Sequence, residues 1–299
     1  MSDDTSAPET GEDGRKAAAG YHMGDVDTII SVEDVNRQAK EFARKVSVEE
    51  IAGLANGAPF VSIDDLNAGY GKMEILHGFN MQVARGQSLC LIGPNGAGKS
   101  TILHSIYGFT NIFSGSIQIG EGSDKRDVTA LSPNEKLASA GIAYILQDKS
   151  VFPDMTVEEN LWMGGYLMPN QDQAKEAAEK VFQKYDRLAQ RRTHQAKVLS
   201  GGERRLLEIS RALVMQPDVL LVDEPSIGLE PRFIDMVFDI LDDLQHGEGK
   251  TIIMVEQNAK RGLEFADVGY VLVSGETAIA GPGDELLENP DVGRLFLGG

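Results

Sequence analysis

One stretch of the sequence has the residue types and spacing of a phosphate-binding loop. A short apolar run ends at Ile92, and the next eight residues read Gly-x-x-x-x-Gly-Lys-Ser. Glycines let successive backbone N–H groups curl around an anionic phosphate, and a helix that begins near Lys99 adds its positive N-terminal end. Lys99 is expected to reach the β- and γ-phosphates, and the Ser100 hydroxyl to bind Mg²⁺. The residues expected to contact nucleotide are Gly93, Pro94, Asn95, Gly96, Ala97, Gly98, Lys99, Ser100 and Thr101.

Two adjacent carboxylates follow a second apolar run. Val219–Val222 is predicted to be a buried strand, and Asp223 and Glu224 come directly after it. We expect Asp223 to hold Mg²⁺, directly or through water, and Glu224 to polarise the attacking water as a general base. The alternative is a strand that runs into an ordinary acidic turn. The phosphate-binding loop elsewhere in the chain favours the catalytic interpretation.

A third motif, Leu199–Glu203, places a serine and two glycines at the start of a predicted helix. Small residues at an exposed helix N-terminus form a second anion site. One triphosphate does not need two such sites unless the second serves a neighbouring molecule. The residues assigned to this site are Ser200, Gly201, Gly202 and Glu203.

Strands that alternate with helices are predicted to position these motifs. The predicted strands are 60–63, 81–83, 88–92, 116–119, 142–146, 219–222, 251–255 and 269–273. Helices are predicted at 173–192, 232–245 and 259–265, and a small one near the C-terminus. This alternation implies a mainly parallel sheet covered on both faces, with ligand at the carboxyl ends of the strands. Residues from about 153 to 215 read mostly as helix, which predicts an inserted helical subdomain.

Composition narrows the class of protein. The net charge of −18 argues against a nucleic-acid partner, because such binding depends on basic patches. The longest uninterrupted apolar run is Ile142–Leu146, which is far shorter than the roughly 20 residues of a membrane-spanning helix. The acidic first residues lack the pattern of a signal peptide, and the single cysteine, Cys90, is predicted to be a core residue. Together these features predict a cytoplasmic location.

The N-terminal part differs in composition from the rest. Residues 1–28 are predicted to be a disordered acidic tail, and residues 29–58 a short helical extension. Capping boxes at Ser31–Asp34 and Ser47–Glu50 predict two short helices. The first helix would carry a narrow apolar seam of Val32, Val35, Ala39, Phe42 and Val46. Docking on this chain's own main domain and contact with another subunit are the two alternatives for this extension.

The three motifs, in this order, resemble the ATP-binding subunit of an ABC transporter. The resemblance covers about residues 60–299. It implies an α/β P-loop NTPase domain at 59–299, with a mainly parallel sheet, an antiparallel β part and the helical subdomain. It also implies ATP and Mg²⁺ as cofactors, and hydrolysis of ATP to ADP and phosphate coupled to transport. In this family two ATPase subunits pack head to tail, so each ATP lies between one phosphate-binding loop and the partner's signature motif.

The resemblance implies roles for further residues. Tyr70 lies upstream of the loop at the position that stacks on adenine, and an ordinary strand-end aromatic is the alternative. Gln147 matches the glutamine that contacts Mg²⁺ and the attacking water. The residues Ser200–Glu203 match the signature that faces the partner's γ-phosphate, and Ser226–Glu230 form the loop after the catalytic glutamate.

Two positions depart from the family pattern. Gln257 stands where most members have a switch histidine. Glutamine can contact the γ-phosphate by hydrogen bonds but cannot become a cation near neutral pH. The loop Ser226–Glu230 reads SIGLE, where many members carry an aspartate. Both departures bear on the hydrolytic competence of this chain's own ATP site.

Further motifs are similar to one branch of the family, the ATP-binding subunits of branched-chain amino acid importers. These motifs are MTVEENL, DEPSIGLEP, VEQNA and LFLGG. The similarity implies a non-identical second ATPase, integral membrane permeases and, indirectly, a periplasmic binding protein as partners. It places the chain peripherally on the inner face of the cell membrane. The alternatives are a soluble ABC ATPase for assembly or repair, and a regulatory nucleotide-binding subunit with weak hydrolysis; urea or amides are alternative cargoes.

Overall fold

A computed structural model describes residues 46–147 and 150–296 of the chain. The predicted acidic tail at 1–28 and the first predicted helix, which begins at Ser31, lie outside the described residues. Within the part of the chain that the structure describes, no helix is long and apolar enough to cross a bilayer.

Four strands between residues 59 and 127 form an antiparallel sheet in the order β2-β1-β4-β5. Its strands are β1 (Pro59–Tyr70), β2 (Met73–Ala84), β4 (Asn111–Ile119) and β5 (Arg126–Asp127). β1, β2 and β4 extend far beyond the three- or four-residue strands predicted from the sequence. The register of β1 shifts around Asp65 and Asn67, and Asp65 has a φ of 47°. Such bulges interrupt the apolar–polar alternation of β1, so the strand predicted from that alternation ended at residue 63.

The second sheet has six strands in the order β10-β9-β3-β8-β7-β6. They are β3 (Ser88–Ile92), β6 (Ile142–Ile145), β7 (Val219–Asp223), β8 (Thr251–Val255), β9 (Val268–Val273) and β10 (Glu276–Pro282). All neighbouring pairs are parallel except β10 with β9. The bounds predicted for β3 and β8 are confirmed. Strand β10 was missed because its sequence, ETAIAGP, lacks the β-branched apolar run typical of a buried strand.

Helices cover this sheet. They are α2 (Lys99–Tyr107), α3 (Pro133–Ala138), α8 (Pro231–Asp242), α9 (Ala259–Phe265), α10 (Gly283–Glu288) and α11 (Pro290–Phe296). The predicted helix at 232–245 ends earlier as an α-helix and continues as a π-helical turn, Asp243–Gly247. The prediction for α9 is confirmed.

A helical segment with its own apolar cluster lies between β6 and β7. It contains α4 (Val157–Gly164), α5 (Gln171–Lys184), α6 (Asp186–Ala189) and α7 (Gly201–Leu213). The cluster includes Leu161, Phe182 and Leu207. The single helix predicted at 173–192 is wrong, because the backbone leaves helical geometry at Tyr185 (φ −122°, ψ 86°).

The second helix of the N-terminal extension packs on the main body of the chain. Helix α1 (Val48–Leu54) begins at Ser47 with the predicted capping box to Glu50. Ile51 is 3% exposed and belongs to the same core cluster as Phe60 and Val83. The Gln87 side chain also donates a hydrogen bond to the Leu54 carbonyl at 3.0 Å. The packed core therefore continues across the predicted boundary between residues 58 and 59.

Cys90 lies in the middle of β3 and has no exposed surface. Burial raises the pKa of its thiol far above the ordinary value, and the nearby Glu256 carboxylate adds to this rise. The prediction that Cys90 is a core residue is confirmed.

Candidate functional site

The predicted phosphate-binding loop connects β3 to α2. Its three glycines, Gly93, Gly96 and Gly98, have φ values of 144°, 81° and 100°. Other residues rarely adopt this backbone region. At Gly93 an added Cβ atom would also lie 2.3 Å from the Leu272 carbonyl oxygen. The glycine pattern read from the sequence is therefore required by the backbone shape of the loop.

The Lys99 side chain folds back onto the start of the loop. The side chain is buried, and its ammonium group donates hydrogen bonds to the carbonyl oxygens of Gly93 at 2.8 Å and Pro94 at 3.0 Å. Burial lowers the pKa of Lys99, while the carboxylates of Glu224 and Asp223 oppose that shift. The Lys99 ammonium group is thus held at the loop, in position to bind an anionic phosphate.

The Asp223 carboxylate at the end of β7 faces the start of α2. The Ser100 hydroxyl donates to Asp223 Oδ1 at 3.3 Å, and the Tyr144 hydroxyl donates to Asp223 Oδ2 at 2.8 Å. Oxygen ligands from one or two side chains, completed by phosphate oxygens and water, are what Mg²⁺ prefers. Among the described residues, no group of three or more His, Cys, Asp or Glu side chains forms a self-contained metal site. The residues present therefore fit a Mg²⁺ ion that arrives with a nucleotide.

Glu224 has a strained backbone. Its φ is 43°, and its N–H donates to the Val255 carbonyl of β8 at 2.9 Å. Non-glycine residues in this region cluster at functional sites. Burial raises the pKa of the Glu224 carboxyl, the charge of Asp223 adds to that rise, and Lys99 opposes it. A raised pKa makes a carboxylate a better proton acceptor.

Two glutamines predicted to act at this site lie on different loops. The exposed Gln147 follows β6, and its side-chain amide donates to Glu224 Oε2 at 3.0 Å. Gln257 is exposed and lies two residues beyond β8, whose last residue pairs with Asp223. The structure thus joins Gln147 to Glu224 directly and brings Gln257 to the same edge of the sheet.

Glu256, beside Gln257, is a polar core residue that the sequence analysis missed. It is buried, and its Oε1 atom accepts hydrogen bonds from the Ser226 hydroxyl at 2.8 Å and the Asn258 N–H at 2.9 Å. This carboxylate therefore ties the loop after Glu224 to the loop that carries Gln257.

Tyr70 lies at the end of β1 with 41% of its surface exposed. Its hydroxyl is hydrogen-bonded to the His104 ring, and the two rings are nearly perpendicular at 6.0 Å. His104 was missed in the sequence, although it lies one helical turn after Ser100 and therefore on the same face of α2. Tyr144 was also missed, because a tyrosine inside an apolar strand reads as a core residue.

The signature residues form the start of α7. Ser200 is the N-cap, and its hydroxyl accepts from the Glu203 N–H at 3.3 Å, while Glu203 accepts from the Ser200 N–H at 2.9 Å. Arg191 forms an ion pair with Glu203 at 3.1 Å. In the described part of the chain, no hydrogen bond joins the signature to the phosphate-binding loop. Ser200 and Gly201 are exposed, whereas Gly202 is buried against Phe233.

A glycine-rich loop, a buried lysine and two carboxylates meet at the carboxyl edge of a parallel sheet, which is the arrangement of a P-loop NTPase. A match to the ABC transporter family covers residues 76–227. A high-affinity branched-chain amino acid transport ATP-binding protein, BraG, from Pseudomonas aeruginosa is 40% identical over 239 residues, which are 80% of this chain and 100% of that relative. This chain belongs to the ABC transporter family and is its ATP-binding, ATP-hydrolysing component.

Other comparisons agree with this assignment. A probable branched-chain amino acid transport ATP-binding protein, LivF, from Archaeoglobus fulgidus is 37% identical over 78% of this chain and 96% of its own length. Among solved structures, a nucleotide-free ATP-binding cassette from an ABC transporter matches with a TM-score of 0.70 at 26% identity. That match covers 81% of this chain and 100% of the cassette.

Proposed function

We propose that this chain hydrolyses ATP to power an importer of branched-chain amino acids. The observation that carries the proposal is the similarity to BraG, which extends over the whole length of that relative at 40% identity. LivF supports the same cargo at 37% identity over nearly its whole length. The hydrogen-bonded pair of Gln147 and Glu224, next to Asp223, supports hydrolysis by this chain's own site.

The residues divide the work of hydrolysis. The loop and Lys99 bind the β- and γ-phosphates, and Tyr70 supports the adenine ring. Mg²⁺, held by Ser100 and Asp223 with help from Gln147, would neutralise charge on the phosphates. Glu224 accepts a proton from the attacking water. The water oxygen bonds to the γ-phosphorus as the bond to the β–γ bridging oxygen breaks, which leaves ADP and phosphate.

The proposed partners follow from the two anion sites. One site is this chain's phosphate-binding loop, and the signature at Ser200–Glu203 would face the ATP of a second, non-identical ATPase. Permease subunits in the membrane would dock on this pair, which places the chain peripherally on the inner face of the membrane. A periplasmic binding protein would deliver the amino acid to the permeases from the other side.

The test uses the assembled transporter in proteoliposomes. Glu224→Gln should lower ATP turnover by about 10²–10⁴, which a positioned general base contributes, and should abolish leucine uptake while nucleotide binding is retained. Lys99→Ala should lose most ATP affinity. Glu285→Gln, an exposed carboxylate on α10, is the matched control and should behave as the wild type. ATP turnover stimulated by urea or an amide but not by leucine would overturn the assignment of branched-chain amino acids as the cargo.

A regulatory role is the second candidate, and Gln257 is the observation that favours it. If the partner ATPase performs most of the hydrolysis, Glu224→Gln in this chain leaves turnover of the assembled complex unchanged. Membrane co-purification separates both transport roles from a soluble ATPase of assembly or repair, which would remain in the supernatant.

A further inference from the structure

Tyr144 contacts the proposed metal site from the edge strand of the parallel sheet. It lies on β6, which pairs with β7 in parallel register, and Tyr144 is opposite Leu221. Its hydroxyl donates to Asp223 Oδ2 at 2.8 Å, while the Ser100 hydroxyl lies 3.3 Å from Asp223 Oδ1. The two oxygens of this carboxylate therefore have different partners.

Separate partners for the two carboxylate oxygens affect how a carboxylate binds a metal. An ionised aspartate accepts hydrogen bonds only, so the tyrosine must donate the proton. A ligating carboxylate whose second oxygen is hydrogen-bonded is held in one orientation, and loss of such a supporting bond typically weakens metal binding by about 10–100-fold. Here the bond from Tyr144 holds Oδ2, so Oδ1 is the oxygen that faces Ser100, the other proposed metal ligand.

Packing fixes the position of the Tyr144 hydroxyl independently of that bond. The Tyr144 ring lies 5.5 Å from the Tyr107 ring, 5.8 Å from the His104 ring and 6.0 Å from the Phe109 ring. It also forms part of the wall of a cavity of about 340 Å³ between β6 and the helical segment. Because the ring is held by these neighbours, Tyr144→Phe removes the oxygen atom and leaves the ring in place.

We propose that Tyr144 is a positioning residue of the Mg²⁺ site. Its hydroxyl holds one oxygen of Asp223, so that the other oxygen points to the metal beside Ser100. Tyr144 is not itself a ligand. The inference rests on the metal role proposed for Asp223.

The experiment measures metal binding without hydrolysis. The full-length protein is saturated with a non-hydrolysable ATP analogue, and Mn²⁺ binding is followed by electron paramagnetic resonance. Tyr144→Phe should raise the Kd for Mn²⁺ about 10–100-fold, while affinity for the analogue in EDTA is unchanged. Tyr107→Phe removes a hydroxyl from the same aromatic cluster without touching Asp223, and it should bind Mn²⁺ as the wild type does.

A second variant separates this inference from the proposed function. Asp223→Ala should weaken Mn²⁺ binding at least as much as Tyr144→Phe. The double variant should bind Mn²⁺ no more weakly than Asp223→Ala alone, because the carboxylate that accepts the Tyr144 hydrogen bond is absent from both. If Asp223→Ala has no effect, the metal site itself is wrong. If Asp223→Ala weakens Mn²⁺ binding but Tyr144→Phe does not, only the role of Tyr144 is overturned.

Discussion

The two signature glycines are predicted to be required for different reasons. In Gly202→Ala the new methyl group would lie 2.2 Å from Cδ1 and 2.5 Å from Cε1 of the Phe233 ring, so the ring must move by about an ångström or more. Overpacking of this kind costs about 1–3 kcal/mol, and the better helix propensity of alanine returns at most about 1 kcal/mol. We expect a net loss of about 1–2 kcal/mol in the free energy of unfolding.

Urea unfolding of the full-length variants measures this loss, and Gly201→Ala is the matched control. At Gly201 the nearest atom to an added Cβ is Leu229 Cδ2 at 3.8 Å, which is ordinary van der Waals contact. Gly201→Ala should therefore be as stable as the wild type, although it should slow turnover in the assembled complex if this exposed face meets the partner's ATP. Binding of ATP by this chain's own loop should be unchanged in both variants.

A smaller residue at position 233 tests the cause. In the double variant Gly202→Ala with Phe233→Leu, the methyl group has room, so the loss should be smaller than the sum of the two single losses. The reasoning is refuted if Gly202→Ala unfolds at the same urea concentration as the wild type. It is also refuted if the two single losses simply add.

Three further predictions concern other parts of the chain. Gln257→His should keep or raise ATPase activity. Gln257→Ala should cost about 1.5–3 kcal/mol of transition-state stabilisation, because it removes one hydrogen bond to a charged group. A loss of activity as large as that of Glu224→Gln would contradict this prediction. Burial lowers the pKa of Lys136 from 10.5 to about 8 in the folded protein. Between these two pH values Lys136 is therefore protonated in the unfolded chain but largely neutral in the folded one. Stability against urea should therefore rise by about 3 kcal/mol from pH 8 to 10.5, and Lys136→Met should remove that rise; parallel pH curves would contradict it. Ile51→Ala should cost about 2–5 kcal/mol of stability with ATP affinity unchanged, and an unaltered melting temperature would show that α1 lies outside the core.

The strands that carry the chemistry were predictable because they are short, apolar and bounded by clear turn signals. The bounds of β3 and β8 agree with the sequence prediction residue for residue. The long strand β1 was not predictable to its full length, since bulges around Asp65 and Asn67 break its alternation of apolar and polar residues. The phosphate-binding loop lies between β3 and α2, and Asp223 lies at the end of β7, as the order of elements in the sequence predicts.

The contacts between motifs were beyond the reach of sequence patterns. Tyr144 and Asp223 are 79 positions apart, and Gln147 and Glu224 are 77 apart. Nothing local to either residue specifies such a bond. Likewise, the sequence assigned both signature glycines to anion binding, whereas Gly202 is also constrained by Phe233 from α8. Pairings of this kind depend on which elements pack together, and only the three-dimensional structure supplies them.

The burial of Cys90 has a practical consequence for experiments on this protein. It is the only cysteine in the chain, and reagents attack the thiolate at an exposed position. The native protein should therefore not react with a maleimide, and its thiol should become available only when β3 separates from the sheet. The wild-type chain can thus serve as an unlabelled background for a probe on a cysteine introduced at the exposed Ser200. The labelling rate of Cys90 itself would report how often the centre of the nucleotide-binding sheet opens.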